Sequence, residues 1–111
     1  MVNAQTVAQS VNKHTAISFT VTTTDANTTD VMTPATLAAA GCSVIREIHL
    51  KCTGDKCFVG LGQDASTTHG KNIIPVWQDT YLNFEDCMYS KLEVIRSAST
   101  NVTVEGWVVA N

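Results

Sequence analysis

The sequence predicts an all-β fold, an antiparallel β-sandwich of jelly-roll type with at most one short helix. Short apolar runs recur at a spacing of about ten residues, separated by turn-forming segments, which is the rhythm of a sandwich. Several runs alternate apolar and polar residues strictly, as strands with one wet face do. Charged residues make up only 15% of the chain while Thr supplies about one residue in seven, and a β-branched hydroxyl side chain suits a pleated, half-exposed surface. At 111 residues the chain has material for one core and no second domain.

Residues 1–16 are polar and rich in Gln, Asn, Ser and Thr, with isolated apolar residues at Val2, Val7 and Val11, and read as an N-terminal arm preceding a sandwich over 17–111. From Ile17 the chain alternates, with Ile17, Phe19 and Val21 on one face and Ser18, Thr20 and Thr22 on the other. Residues 25–30 form a loop. Thr33 is an N-cap, Pro34 an N1 residue and Gly41 a stop, so a short helix is expected over about 34–40. In the run from Cys42 to Cys52, Val44, Ile48, Leu50 and Cys52 share one parity and Ser43, Glu47, His49 and Lys51 the other, with Ile45 and Arg46 breaking the pattern. Thr53–Lys56 has turn composition and Cys57–Gly62 follows, which predicts a hairpin with Cys52 opposite Cys57 and Phe58 pointing outward opposite Lys51.

Further strands are expected over 72–77, 80–86, 90–97 and 101–109. Pro75 removes a ladder donor and assigns its strand to a sheet edge or bulge. In the last run Val102, Val104 and Val108 share the inner face, leaving Trp107 and Val109 among polar residues on the outer one. Together with Phe58 and Ile95 they form an apolar set on faces that should be wet. Such a set marks either a contact surface or a strand covered on both sides, and the residues leave both readings open.

The net charge of −3 and the lack of any Lys/Arg cluster exclude a phosphate-backbone binder, so no nucleic-acid partner is expected. The longest nearly apolar stretch, Leu37–Ile45, is about half of the ~20 residues a transmembrane helix needs, so no membrane partner is expected either. The opening residues have neither a basic segment nor an apolar one, so cytoplasmic synthesis is expected. Cys42, Cys52, Cys57 and Cys87 then read as reduced core thiols.

Gly60-Leu-Gly62-Gln-Asp-Ala65 satisfies a dinucleotide-binding pattern, with Glu85 twenty residues on, but no apolar helical period follows it. Gly60 is expected to mark a bulge. Asp64, Ser66 and His69 share a loop without a nucleophile elbow or an oxyanion-hole glycine pair. Asp25, Asn27 and Asp30 echo a calcium loop without its glycine and terminal Glu. The cysteine spacing does not match a zinc module. No catalytic residue, cofactor or metal site is therefore expected.

The strand and loop Phe58-Val-Gly-Leu-Gly-Gln-Asp-Ala-Ser-Thr-Thr68, the edge run Ile73-Ile-Pro-Val-Trp77, and the closing segment Leu92-Glu-Val-Ile-Arg-Ser-Ala-Ser-Thr-Asn-Val-Thr-Val-Glu-Gly-Trp107 resemble small structural proteins of tailed-bacteriophage virions, of the capsid decoration or cement type. The resemblance spans Gly41–Trp107, about three fifths of the chain. It implies a non-enzymatic β-sandwich, often trimeric, that binds the major capsid protein on the outside of an assembled shell after synthesis in the bacterial host. On that expectation Val2, Val7 and Val11 of the arm and Phe58, Trp107 and Val109 of the sandwich are the interface residues. The alternatives are a tail, neck or receptor-binding component of the same kind of particle, and a carbohydrate-binding module in which Trp77, Tyr81 and Trp107 line a sugar face.

Overall fold

The computed structural model describes residues 14–111. Among these residues eight strands and one helix follow one another as β1 (Thr15–Thr22), β2 (Thr29–Met32), α1 (Pro34–Ala39), β3 (Ile45–Thr53), β4 (Cys57–Leu61), β5 (Ile73–Val76), β6 (Tyr81–Phe84), β7 (Leu92–Arg96) and β8 (Thr103–Ala110). They form two antiparallel four-stranded sheets. Sheet A has the order β1-β8-β3-β6 and sheet B the order β2-β7-β4-β5. The partners β1·β8, β2·β7, β3·β6 and β4·β5 are nested, as in one long hairpin. Rolling that hairpin up brings β8 against β3 and β7 against β4, which is the eight-stranded jelly roll the spacing predicts.

The core lies between the sheets and is built from inward parities. Ile48, Leu50 and Cys52 of β3, Val104, Val108 and Ala110 of β8, Val59 and Leu61 of β4, and Leu92 and Val94 of β7 are all buried. On β1, Ile17, Phe19 and Val21 pack against this core while Ser18, Thr20 and Thr22 face water. The sandwich therefore starts at Thr15, two residues earlier than the arm boundary expected from sequence.

The break at Ile45 and Arg46 is a β-bulge. Ile45 pairs with Ala110 and Glu47 with Val109, so one residue of β3 is looped out. The bulge lets Ile45 and Ile48 both face the core although they differ in parity. Helix α1 is fixed at both ends. Thr33 Oγ1 accepts from the Thr36 amide at 3.1 Å, a side-chain cap. At the other end the Gly41 amide donates to Ala38 O and the Cys42 amide to Leu37 O, a Schellman closure that Gly41 supports at φ +76°. Its one buried residue is Leu37.

The predicted Cys52–Cys57 hairpin does not form. β3 and β4 belong to different sheets, and the turn at Thr53–Lys56 carries the chain across the sandwich instead of back along it. Leu50 pairs with Leu82 and Gly106, and Val59 with Ile74 and Val94. Cys52 and Cys57 are still both buried in the core, where the Cys52 thiol donates to Asp55 O at 3.0 Å. Interaction between the Cys52 and Cys57 thiols holds Cys52 low and, with burial, pushes Cys57 up. All four cysteines are buried free thiols. Pro75 pairs with Phe58 on β5, an edge strand, as its missing donor requires.

Gly60 is not a bulge, because β4 runs in unbroken register with β5 and β7. The loop after β4 folds back over it. A Cβ at Gly60 would stand 2.5 Å from Gln63 O and 2.7 Å from Ala65 N. The same loop is tied down by Lys91, whose ammonium meets Asp64 at 2.7 Å and Glu93 at 3.3 Å, and by the Ala65 amide donating to Glu93 at 3.3 Å. It gives the outer side of β4 a cover, so all five β4 residues are buried. Phe58 does point outward, yet it is only 5% exposed, lying under the edge of the His69 ring and the Lys56 ammonium.

Candidate functional site

Among the described residues, nothing covers the outer face of sheet A in this way. Its residues fall into cross-strand rows set by the register. Ser18, Trp107, His49 and Asn83 form one row across β1, β8, β3 and β6, and Thr20, Glu105, Lys51 and Tyr81 form the next. Toward the end of the strands, Ala16, Val109 and Glu47 make a third. Trp107 is 47% and Tyr81 70% exposed. Both lie on strands whose opposite faces build the core, so their positions are fixed by the sandwich rather than by loops.

Between the first two rows runs a shallow groove of about 60 Å³, walled by Trp107, His49 and Asn83 on one side and by Glu105, Lys51 and Tyr81 on the other. Its floor is the backbone of Leu50 and Gly106. Gly106 is required there, since a Cβ would collide with the His49 carbonyl oxygen. The close approach draws β8 onto β3 beside the Trp107 and His49 rings, which stack at 4.8 Å between centroids and 24° between planes. Lys51 leans its ammonium over the Tyr81 ring at 5.7 Å.

His49 is the most constrained polar group of this face. Its Nδ1 lies 2.7 Å from Asn83 Oδ1 and its Nε2 3.0 Å from Glu47 Oε1. Both neighbours are acceptors, so the ring satisfies both only as the imidazolium. The Asn83 and Glu47 hydrogen bonds accordingly raise its pKa above the ordinary histidine value, against a smaller opposing effect of burial. Glu85, just beyond β6, brings a third ligand-type side chain, with one such atom from each of Glu47, His49 and Glu85 within 4.8 Å of the others.

No protein family, curated protein or solved structure matches the chain.

Of the residues expected at an interface, Trp107 and Val109 share this face. Phe58 does not, being buried on sheet B. Val2, Val7 and Val11 lie outside the described residues. Of the aromatic set for a sugar face, Tyr81 and Trp107 flank the groove, whereas Trp77 follows β5 of sheet B and carries the Lys56 ammonium 4.0 Å from its ring centre. Asp64, Ser66 and His69 are each engaged elsewhere: Asp64 with Lys91, Ser66 with the Thr68 amide, His69 with Phe58. Lys91 holds the Asp64 carboxyl below its usual range, which suits an anchor for the loop rather than a general base. Gly60, Gly62 and Ala65 lead into no helix, so nothing there can cradle a pyrophosphate. Asp25 accepts from the Asn27 amide at 2.8 Å, a local turn. No described helix is long and apolar enough to cross a membrane.

Sequence reasoning missed Glu47, Asn83 and Glu85. The parity of Glu47, His49 and Lys51 was visible, but the pairing of β3 with β6 that assembles the set was not. That pairing joins segments about thirty-five residues apart and replaces the hairpin that local signals favour.

Proposed function

We propose that the chain is a non-enzymatic virion structural protein of the capsid decoration type, which binds the major capsid protein and its own copies through the outer face of sheet A. The observation that supports this best is the pairing of an exposed Trp107 with Val109 and Tyr81 on a rigid sheet face that no other described residues cover. Exposed aromatics in a fixed frame are what protein interfaces use as anchors, because little side-chain entropy remains to be lost on contact. Strand β1 adds a second element: among the described residues it is a sheet edge paired with β8 alone, the kind of edge that strand addition uses. A protein that binds only the assembled shell stabilises it by mass action. Trimerisation and a capsid-surface location belong to the same proposal.

Trp107→Ala tests it. The change should weaken binding to isolated capsid shells by about 2 kcal/mol, the scale of a hot-spot anchor, and leave the thermal midpoint of the free chain nearly unchanged. A fall in free-chain stability without loss of shell binding would return Trp107 to a purely structural role.

The groove supports a second reading. Trp107 and Tyr81 border it together with Asn83, Lys51 and Glu105, a mixture of aromatic faces and hydrogen-bonding groups suited to a pyranose ring. A glycan array without hits counts against that reading and leaves the first intact.

A further inference from the structure

We infer that Glu47, His49 and Glu85 form a site for a divalent transition-metal ion of the zinc class on the outer face of sheet A. Glu47 and His49 stand two residues apart on β3 and so share its outer side. β6 runs antiparallel beside it with Ile48 opposite Phe84, and Glu85 follows directly, so that one ligand-type atom of each of the three residues lies within 4.8 Å of the others. Nε2 of His49 and Oε1 of Glu47 are 3.0 Å apart, close to the ~3.3 Å that separates two ligands of a tetrahedral ion with bonds of about 2.0–2.1 Å. Glu85 is exposed and free to rotate inward. Three protein ligands leave at least one position open to water or to a group from a partner.

Two features of the surroundings suit a metal ion at these groups. Asn83 Oδ1 accepts from Nδ1 of His49, which leaves Nε2, the atom hydrogen-bonded to Glu47, as the one a metal would take once its proton is displaced. An outer hydrogen bond of this kind fixes the tautomer of metal-binding histidines. Glu47 and Glu85 are also like charges held close together beside one imidazole, an arrangement that costs stability. No Lys or Arg forms an ion pair with either among the described residues, and the cation beside Glu47 is protonated His49 itself. Lys51, on the same face, leans over Tyr81 instead.

The competitor for the site is the proton. The charged groups facing His49 are Glu47 and Lys51 from β3, Glu85 from beyond β6 and Glu105 from β8. Three of the four favour a cation there, and a metal must displace the proton to take Nε2. Affinity should therefore fall as the pH is lowered.

The test uses the purified full chain without any particle, so its outcome is independent of the virion reading. Zinc chloride is titrated calorimetrically into chelator-stripped protein at about pH 7.5 and again at about pH 5.5. The wild type should bind one ion per chain, about tenfold or more weaker at the lower pH. Glu85→Gln and Glu47→Gln should each weaken binding by about tenfold or more, with Glu85→Gln unfolding in the absence of metal at a midpoint equal to or above that of the wild type. A Trp77→Phe variant leaves Trp107, stacked on His49, as the single indole, and its fluorescence should be quenched saturably by nickel or copper ions. No binding at millimolar zinc overturns the proposal. So does equal affinity in wild type and both Gln variants, which would assign the ion to the thiols or to other histidines.

Discussion

Gly106 and His49 show how tightly single residues define the outer face of sheet A. Gly106→Ala would drive a Cβ into the His49 carbonyl and push β8 from β3, at an expected cost of about 3 kcal/mol, the upper end for overfilling packed structure. Gly41→Ala meets open space and only the left-handed backbone opposes it, so it should cost about 1 kcal/mol. Urea unfolding of the two variants measures the contrast. His49 makes a pH prediction. Its hydrogen bonds to Asn83 and Glu47 raise its pKa above 6.5 in the folded chain, so the folded state holds that proton more tightly than the unfolded one. The stabilisation is complete below pH 6.5 and is lost as the pH climbs through the raised native value. In a chelating buffer, the stability advantage of wild type over His49→Gln should shrink over that climb, and an advantage that grew with pH would contradict the assignment. At this scale the sequence was readable where a residue's role is local. Trp107 and Val109 stood out as apolar residues on a polar parity. Phe58 stood out identically, and its cover comes from a loop whose folding back no periodicity records.

Single elements were legible when their determinants lay within a few residues. Helix α1 carries its own cap, its Pro and its terminal Gly, and it forms over nearly the predicted span. Thr33→Ala should cost about 1 kcal/mol through the lost cap. Leu37→Ala should cost about 3 kcal/mol, since Leu37 is the one side chain that anchors the helix to the core. Equal effects in chemical denaturation would mean that α1 is held by its caps rather than its packing. The edge position of β5 followed from Pro75 alone. The turn at Thr53–Lys56 shows the limit: its composition is right for a hairpin, but turn chemistry does not state whether the chain returns along the same sheet or crosses to the other. The burial pattern is the same in both cases, because Leu50, Cys52, Cys57 and Val59 face the core either way. Pairing, and with it the meeting of His49 with Asn83 and Glu85, is decided by the roll of the whole chain.

At the scale of the molecule the nested pairing joins the first strand to the last. The β1·β8 ladder links Thr15 with Ala110, so the outer face of sheet A exists only once the whole roll has closed. Contacts of such long range are slow to form, and damage to β8 should therefore remove surface and stability together. Sheet B is the stabilised side, covered by the loop that Lys91 and Glu93 tie down; sheet A is the presented side, with Trp107, Tyr81 and Val109 in a polar frame. This asymmetry is the strongest support for an interaction protein. The central claim is that the chain works as copies of itself on a capsid, and the most direct test is the native mass of the purified chain together with its copy number in particles that carry it. The account predicts a trimer of about 36 kDa, three times the 11.9 kDa chain, present at hundreds of copies per particle. A monomer that associates with no particle would contradict it.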